Sequence, residues 1–305
     1  MDDKIKTKIK SFIINSYNIE EKDFEISLKN LGGLSNKNFI VTITNTTTKE
    51  IIDQILYRKF GEISDVVDRD LETMIINNLS KKGIAPKIYE VDTKDNFRIE
   101  QFLSNTSPIK KIPRESNKKL YLDFEKLDYY MRNYRNIFLE VFPKNGYMVL
   151  CHNDIHRLNL IIRENDKKVF LLDHEYACLN LIGNDFANYM NESCYIYEKE
   201  YQFTKENIDF EKYYNLYKLY LKEFINTYKF MNNIEEYKFF LNEIQTKKYY
   251  LKLHCVINLF WFLYSIIYLD FEKWNKDKEN FFYFIHGIHR IYHFECAKNE
   301  IKNII

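Results

Sequence analysis

The sequence predicts an α+β fold: a small N-terminal lobe with an antiparallel sheet and one main helix, then a larger, mainly helical C-terminal lobe. Before residue 103 the apolar signals are short, β-branched and bounded by turn residues, as strands require. After Ser104 the apolar residues recur at helical spacing over long stretches. Glycine (7) and proline (4) are scarce while Tyr (25) and Phe (24) are abundant, so few residues interrupt long helices. The 305 residues suffice for a sizeable core. They divide accordingly into lobes of 1–103 and 104–305, with a cleft expected between them.

In chain order, Lys37–Asn45 puts Phe39, Val41 and Ile43 on one face of a strand. The polar turn Thr46–Glu50 separates it from Ile51–Lys59, its hairpin partner. Leu71, Ile75, Ile76 and Leu79 repeat at helical spacing within Asp68–Lys82, and Gly83 and Pro86 stop that helix. Ile88–Val91 and Phe97–Phe102 read as two more strands. Leu120, Phe124, Leu127, Met131, Tyr134 and Phe138 mark one long amphipathic helix. Leu158–Ile162 and Val169–Leu172 form a hairpin about the turn Glu164–Lys168, and helices follow near 206–229, 235–270 and 278–301.

Charge and cysteines exclude several classes. Lys plus Arg (45) balances Asp plus Glu (44), which argues against a dedicated nucleic-acid binder. The cysteines Cys151, Cys178, Cys194, Cys255 and Cys296 form no C-x-x-C pair and suggest neither a disulfide framework nor a zinc site. Reduced thiols in a cytoplasmic protein are expected. The N-terminal stretch lacks the apolar run of a secretory signal. The longest uncharged stretch, Cys255–Leu269, falls short of the roughly 20 apolar residues that a span needs, so a buried helix is expected and no membrane insertion.

The chemistry is concentrated in Cys151–Leu160, CHNDIHRLNL, and Val169–Tyr176, VFLLDHEY. A single D-x-x-x-x-N is common by chance, and an acid beside a hairpin often only caps a turn. Here the whole order is present: H-x-D-x-x-x-x-N, a strand, a tight turn, a second strand and an acid. Phosphoryl transfer needs this order. One carboxylate, Asp154, orients and deprotonates an acceptor hydroxyl, while the Asn159 amide oxygen and the Asp173 carboxylate hold Mg²⁺ on nucleotide phosphates. His152 is read as holding the loop by hydrogen bonds rather than as a base.

HNDIHRLN resembles the catalytic loop of the choline/ethanolamine kinase family, and Leu171–Glu192, LLDHEYACLNLIGNDFANYMNE, resembles its second signature. That family shares the bilobal protein-kinase-like fold with aminoglycoside phosphotransferases, and the likeness runs from about Leu31 to about Leu269. It implies an ATP- and Mg²⁺-dependent kinase. Leu31–Phe39 resembles the nucleotide loop, where Gly32 and Gly33 let backbone amides approach phosphate and Ser35 and Asn36 add donors; by itself a Gly-Gly pair is a plain turn. Arg58 is implied to hold phosphates and to pair with Glu72, although alone it would read as a surface charge at a strand edge. Glu100–Leu103 resembles the hinge, with Gln101 near the adenine.

For the acceptor, the resemblance implies Tyr176, Glu192, Tyr197, Phe203, Trp261 and Tyr264, since aromatic faces and a carboxylate suit a quaternary ammonium. At 17% Phe, Trp and Tyr, aromatic pairs at helical spacing are also ordinary core. Two residues depart from the family pattern: Tyr264 stands where Trp is usual, and His174 where Phe is. The expected activity is phosphorylation of choline as the first step toward a phospholipid head group. The alternatives are an ethanolamine kinase, another small-molecule phosphotransferase of aminoglycoside type, and a catalytically dead binding module. The helices of 206–250 either form a homodimer face or pack on the large lobe.

Overall fold

The computed structural model describes residues 3–32, 36–61, 68–108, 124–144, 147–195, 208–228, 240, 242–270 and 278–304. Among them are an antiparallel sheet in the N-terminal part and seven helices, most of them C-terminal, which is the α+β class expected. The chain forms two compact units, Met1–Ile109 with Leu158–Ala177, and Lys110–Arg157 with Cys178–Ile305.

The first unit opens with helix α1 (Asp3–Tyr17), followed by strands β1 (Phe24–Gly32), β2 (Asn36–Asn45) and β3 (Ile51–Phe60). Helix α2 (Arg69–Lys81) and strands β4 (Ile88–Asp92), β5 (Phe97–Gln101) and β6 (Thr106–Pro108) come next. Five strands make one antiparallel sheet in the order β1-β2-β3-β5-β4. Strand alternation gives this sheet two different faces. Val41, Ile43, Ile55, Tyr57, Phe97 and Ile99 point to one, where Ile5, Ile9, Phe12 and Ile13 of α1 cover them and form the unit's core. Arg58, Arg98 and Glu100 fall on the other. Helix α2 starts where the sequence places it, because the Asp68 carboxylate accepts the Leu71 N–H at 2.9 Å.

The second unit begins with α3 (Phe124–Val141) and β7 (Met148–Cys151). The chain then returns to the first unit as the hairpin β8 (Leu160–Arg163) and β9 (Val169–Leu171), with β6 pairing to β8. The Leu171 N–H donates to Ile84 O at 2.7 Å, which docks the hairpin on the loop after α2. Back in the second unit come β10 (Cys178–Leu181), paired antiparallel to β7, then α4 (Asn184–Glu192), α5 (Phe210–Tyr228), α6 (Glu243–Tyr268) and α7 (Lys278–Lys302). Long and apolar enough by length and composition to cross a membrane, α6 has 67% of its apolar window buried against the other helices. It is the central core helix of this unit. Its neighbours α3, α5 and α7 bury Leu127, Tyr217 and Phe294 with it.

Candidate active site

In the first unit the register sets Arg58 directly across from Arg98, a like-charge pair that repels on its own. Carboxylates interleave the two guanidiniums. Glu100 Oε1 accepts from Arg58 Nε (3.3 Å) and Nη2 (3.2 Å), and its Oε2 accepts from Arg98 Nε (2.9 Å). Arg98 Nη1 donates to Glu72 Oε1 (3.0 Å), and Arg69 Nη1 to Glu72 Oε2 (2.8 Å). Burial alone would push the Glu100 carboxyl up; Arg98 and Arg58 outweigh it and hold it below the usual range. The direct Arg58–Glu72 pair expected from the sequence is therefore replaced. Glu72 takes Arg98 and Arg69, because β5 stands next to β3 and brings Arg98 in between.

Arg58 reaches one acid more: its Nη1 donates to Asp173 Oδ1 at 3.0 Å. The β8–β9 ladder brings Asn159 and Asp173 to the same end of the hairpin. After the Leu160↔Leu171 pair, the Leu172 N–H donates to Asn159 O at 2.9 Å. Asp173 itself has φ +60°, the left-handed region that ends a strand. Its side chain keeps 29% of its surface exposed, whereas Arg58 and Glu100 are buried.

The nucleotide-loop residues are placed in part. Gly32 has φ +76°, and no atom lies within 4 Å of where a Cβ would stand, so this backbone is open to close approach. Gly33 and Ser35 lie outside the described residues. Asn36 is buried, and its amide is engaged within the protein, donating to Glu175 Oε2 (3.2 Å) and accepting from the Gly61 N–H (3.4 Å). Gln101 Oε1 accepts the Lys87 N–H at 3.4 Å. Tyr176 also belongs to this unit, next to Glu175, which accepts from Arg69 at 3.5 Å as well.

In the second unit the loop after β7 is anchored by Asp185 in the first turn of α4. Its Oδ2 accepts the His152 N–H and its Oδ1 the Asn153 N–H, both at 2.8 Å. Asn153 has φ +67°, and its Oδ1 accepts from Asn180 (2.7 Å) and Asn184 (3.0 Å). The Asp154 N–H donates to His152 Nδ1 at 3.3 Å, so His152 does brace the loop. Asp154 is left with 15% of its side chain exposed. Burial raises its carboxyl above the usual range and Glu192 adds to this, while His156, with Nε2 at 3.6 Å, acts in the opposite sense. Burial likewise raises Asp185, against the pull of its two N–H partners.

Helix α4 aligns Asp185, Asn188 and Glu192 along one side. Asn188 Nδ2 donates to Ile155 O (3.3 Å) and its Oδ1 accepts the Trp261 indole N–H (2.8 Å), linking α6 to the residue after Asp154. Trp261 meets Tyr264 edge-on at 5.2 Å, Tyr264 lies 4.5 Å from Tyr268, and Tyr268 stacks on Tyr283 at 5.6 Å. Glu192 is buried and paired with Arg290. Tyr197 and Phe203 lie outside the described residues. Sequence reasoning did not assign Arg98, Asp185, Asn188 or Arg290. The first owes its place to sheet register and the last to helix packing, whereas the spacing of Asp185, Asn188 and Glu192 was a visible signal.

The family model described as choline/ethanolamine kinase matches residues 29–111 and 98–294. The chain belongs to the choline/ethanolamine kinase family. Among curated family relatives, it is 26% identical over 148 residues to Probable choline kinase 2 of Arabidopsis thaliana, covering 46% of this chain and 40% of that protein. It is 27% identical over 124 residues to Ethanolamine kinase 1 of Homo sapiens, covering 39% of this chain and 25% of that protein. It thus spans less than half the length of either curated relative. Among solved structures, choline kinase from Cryptosporidium parvum Iowa II is similar at a TM-score of 0.66 and 20% identity, over 99% of this chain and 97% of that one. That likeness is one of fold, and the fold is protein-kinase-like.

Proposed function

We propose that this choline/ethanolamine kinase family member transfers the γ-phosphoryl group of ATP to the hydroxyl of choline. The observation that carries the reading is Asp154: a carboxylate raised by burial, on a loop fixed through both oxygens of Asp185. A base with a raised pKa takes a proton more readily near neutral pH. The hydroxyl proton passes to Asp154 as the acceptor oxygen bonds to phosphorus, and the bond from phosphorus to the ADP oxygen breaks. Arg58 steers phosphate, and Gly32 with Gly33, Ser35 and Asn36 forms the nucleotide loop.

Asn159 and Asp173 would hold Mg²⁺. One amide and one part-exposed carboxylate are hard oxygen donors, and such a pair suits an ion that keeps waters and phosphate ligands. Bound there, the ion would neutralise charge on the transferred phosphoryl group. Trp261 and Tyr264, with Tyr176, Tyr197 and Phe203, would meet the acceptor's cation. The reading takes the enzyme as cytoplasmic and the reaction as the entry to phospholipid head-group synthesis.

Ethanolamine is the second reading, favoured by the likeness to Ethanolamine kinase 1. ATP consumption with choline and ethanolamine in parallel, with Mg²⁺ present and then chelated, tests both. The expected result is Mg²⁺-dependent turnover with the higher kcat/KM for choline. A higher value for ethanolamine exchanges the acceptor, and silence with both rejects the reading.

A further inference from the structure

We infer that Arg290 is a positioning residue of the acceptor site, holding Glu192 and Trp261 in one frame. The inference rests on the acceptor role proposed above for the second unit. Arg290 stands in α7 with no exposed surface. Its Nη2 donates to Glu192 Oε1, its Nε to His286 Nε2 (3.1 Å) and its Nη1 to Asn258 Oδ1 (3.5 Å). Because His286 Nε2 accepts, the ring proton sits on Nδ1 and is donated to Ser265 Oγ at 2.5 Å. The Ser265 hydroxyl in turn donates to Trp261 O at 2.8 Å. One guanidinium therefore joins the end of α4, which carries Glu192, to the turn of α6 that carries Trp261. The Trp261 indole completes the circuit through Asn188 to Ile155, beside Asp154.

Charge gives the frame a second purpose. The guanidinium carbon lies 4.3 Å from the Tyr195 ring centroid and 5.7 Å from that of Trp261, so a cation of the protein already occupies faces that attract an ammonium. Uncompensated, it would repel a cationic acceptor. Glu192 cancels it, and Arg290 in turn offsets a carboxylate whose charge reaches Asp154. Glu192 thus serves the acceptor through this pair rather than as a free anion.

Arg290→Lys keeps the charge but cannot fork to Glu192, His286 and Asn258 together. Ser265→Ala removes the hydroxyl that joins His286 to Trp261 and leaves Arg290 in place. Both are assayed with ATP against choline and ethanolamine, after circular dichroism and thermal melting have established folding. The expected result for Arg290→Lys is an acceptor KM raised about tenfold or more, with the KM for ATP within about twofold of wild type. Ser265→Ala moves the acceptor KM the same way by about threefold. Adding Glu192→Gln to Arg290→Lys should cost little further, because the two act as a unit. Unchanged acceptor KM in the folded variants overturns the inference, and so does an equal rise in both KM values. If Arg290→Lys does not fold, Ser265→Ala decides by the same two outcomes. A wild type that turns over no amino alcohol overturns the functional reading and this inference with it; an active wild type with indifferent variants overturns this inference alone.

Discussion

Asp173 Oδ1 and Arg58 Nη1 are 3.0 Å apart, joining the acid after β9 to the third strand of the sheet, 115 residues earlier in the chain. Arg58 also holds Glu100, so one buried guanidinium serves two carboxylates. Arg58→Met would deprive Asp173 of this partner and leave Glu100 with Arg98 alone. Removing one partner of a buried pair costs about 3–5 kcal/mol, and the urea midpoint should fall accordingly. Arg58→Lys should restore part of that stability while leaving the KM for ATP raised. A methionine variant as stable as wild type would contradict the ion-pair account.

Asp154→Asn should lower turnover by about 10²–10⁴-fold without lowering stability at pH 7. Burial raises the folded-state pKa of Asp154, so its ionisation opposes folding. That penalty appears as pH rises above the unfolded value near 3.9 and is complete above the folded value. Thermal melts across pH should show the asparagine variant gaining on wild type over that interval. Loss of stability in the variant at neutral pH would reverse the sign.

Gly183 precedes α4 with φ +85°, and a Cβ there would lie 2.5 Å from Tyr217 Cε2 and 2.7 Å from its hydroxyl. Tyr217 is fully buried and has little room to yield. Gly183→Ala should destabilise by at least about 2 kcal/mol, from backbone strain and overpacking together. It should also lower turnover in the protein that remains folded, because Asp185 and Glu192 ride on the displaced helix. Calorimetry and initial rates on the same sample separate the two effects.

The helical core keeps His254, His286 and His293 uncharged. Burial lowers His254 to about 3, and burial first and then neighbouring cations and imidazoles, Arg290 and His289 among them, hold His286 and His293 far down. Native and unfolded chains carry the same charge at these residues above pH 6.5. Below it the unfolded chain binds protons that the native state refuses. For three such residues stability should fall by about 4 kcal/mol per pH unit below roughly pH 6.5. Urea midpoints at pH 7.5, 6.5 and 5.5 should be nearly level across the first interval and drop across the second.

The β2–β3 and β8–β9 hairpins and helix α2 were legible because each is local: alternation, a polar turn, or a cap within a few residues. Helix α1 carries a helical signal too, in Ile5, Ile9, Phe12 and Ile13. The β7–β10 ribbon was missed because its partners lie some thirty residues apart and its short strands expose Met148, Leu150 and Leu179. At the site, the motif residues were readable one by one, while their partners were not. Arg98 meets Glu72 only through the order of strands in a sheet, and Arg290 meets Glu192 only through the packing of two distant helices.

The excursion of Leu158–Ala177 into the first unit has a consequence for synthesis. A ribosome that has just released Ile109 has made β1–β6, α1 and α2 of that unit, yet neither β8 nor Asp173, so β6 lacks its ladder and Arg58 lacks one of its acids. The 48 residues of Lys110–Arg157, which belong to the other unit, must emerge before those partners arrive. The nascent sheet therefore waits with its charged face incomplete, and the ion pairs of Arg58 take their final form only after the chain has passed Asp173.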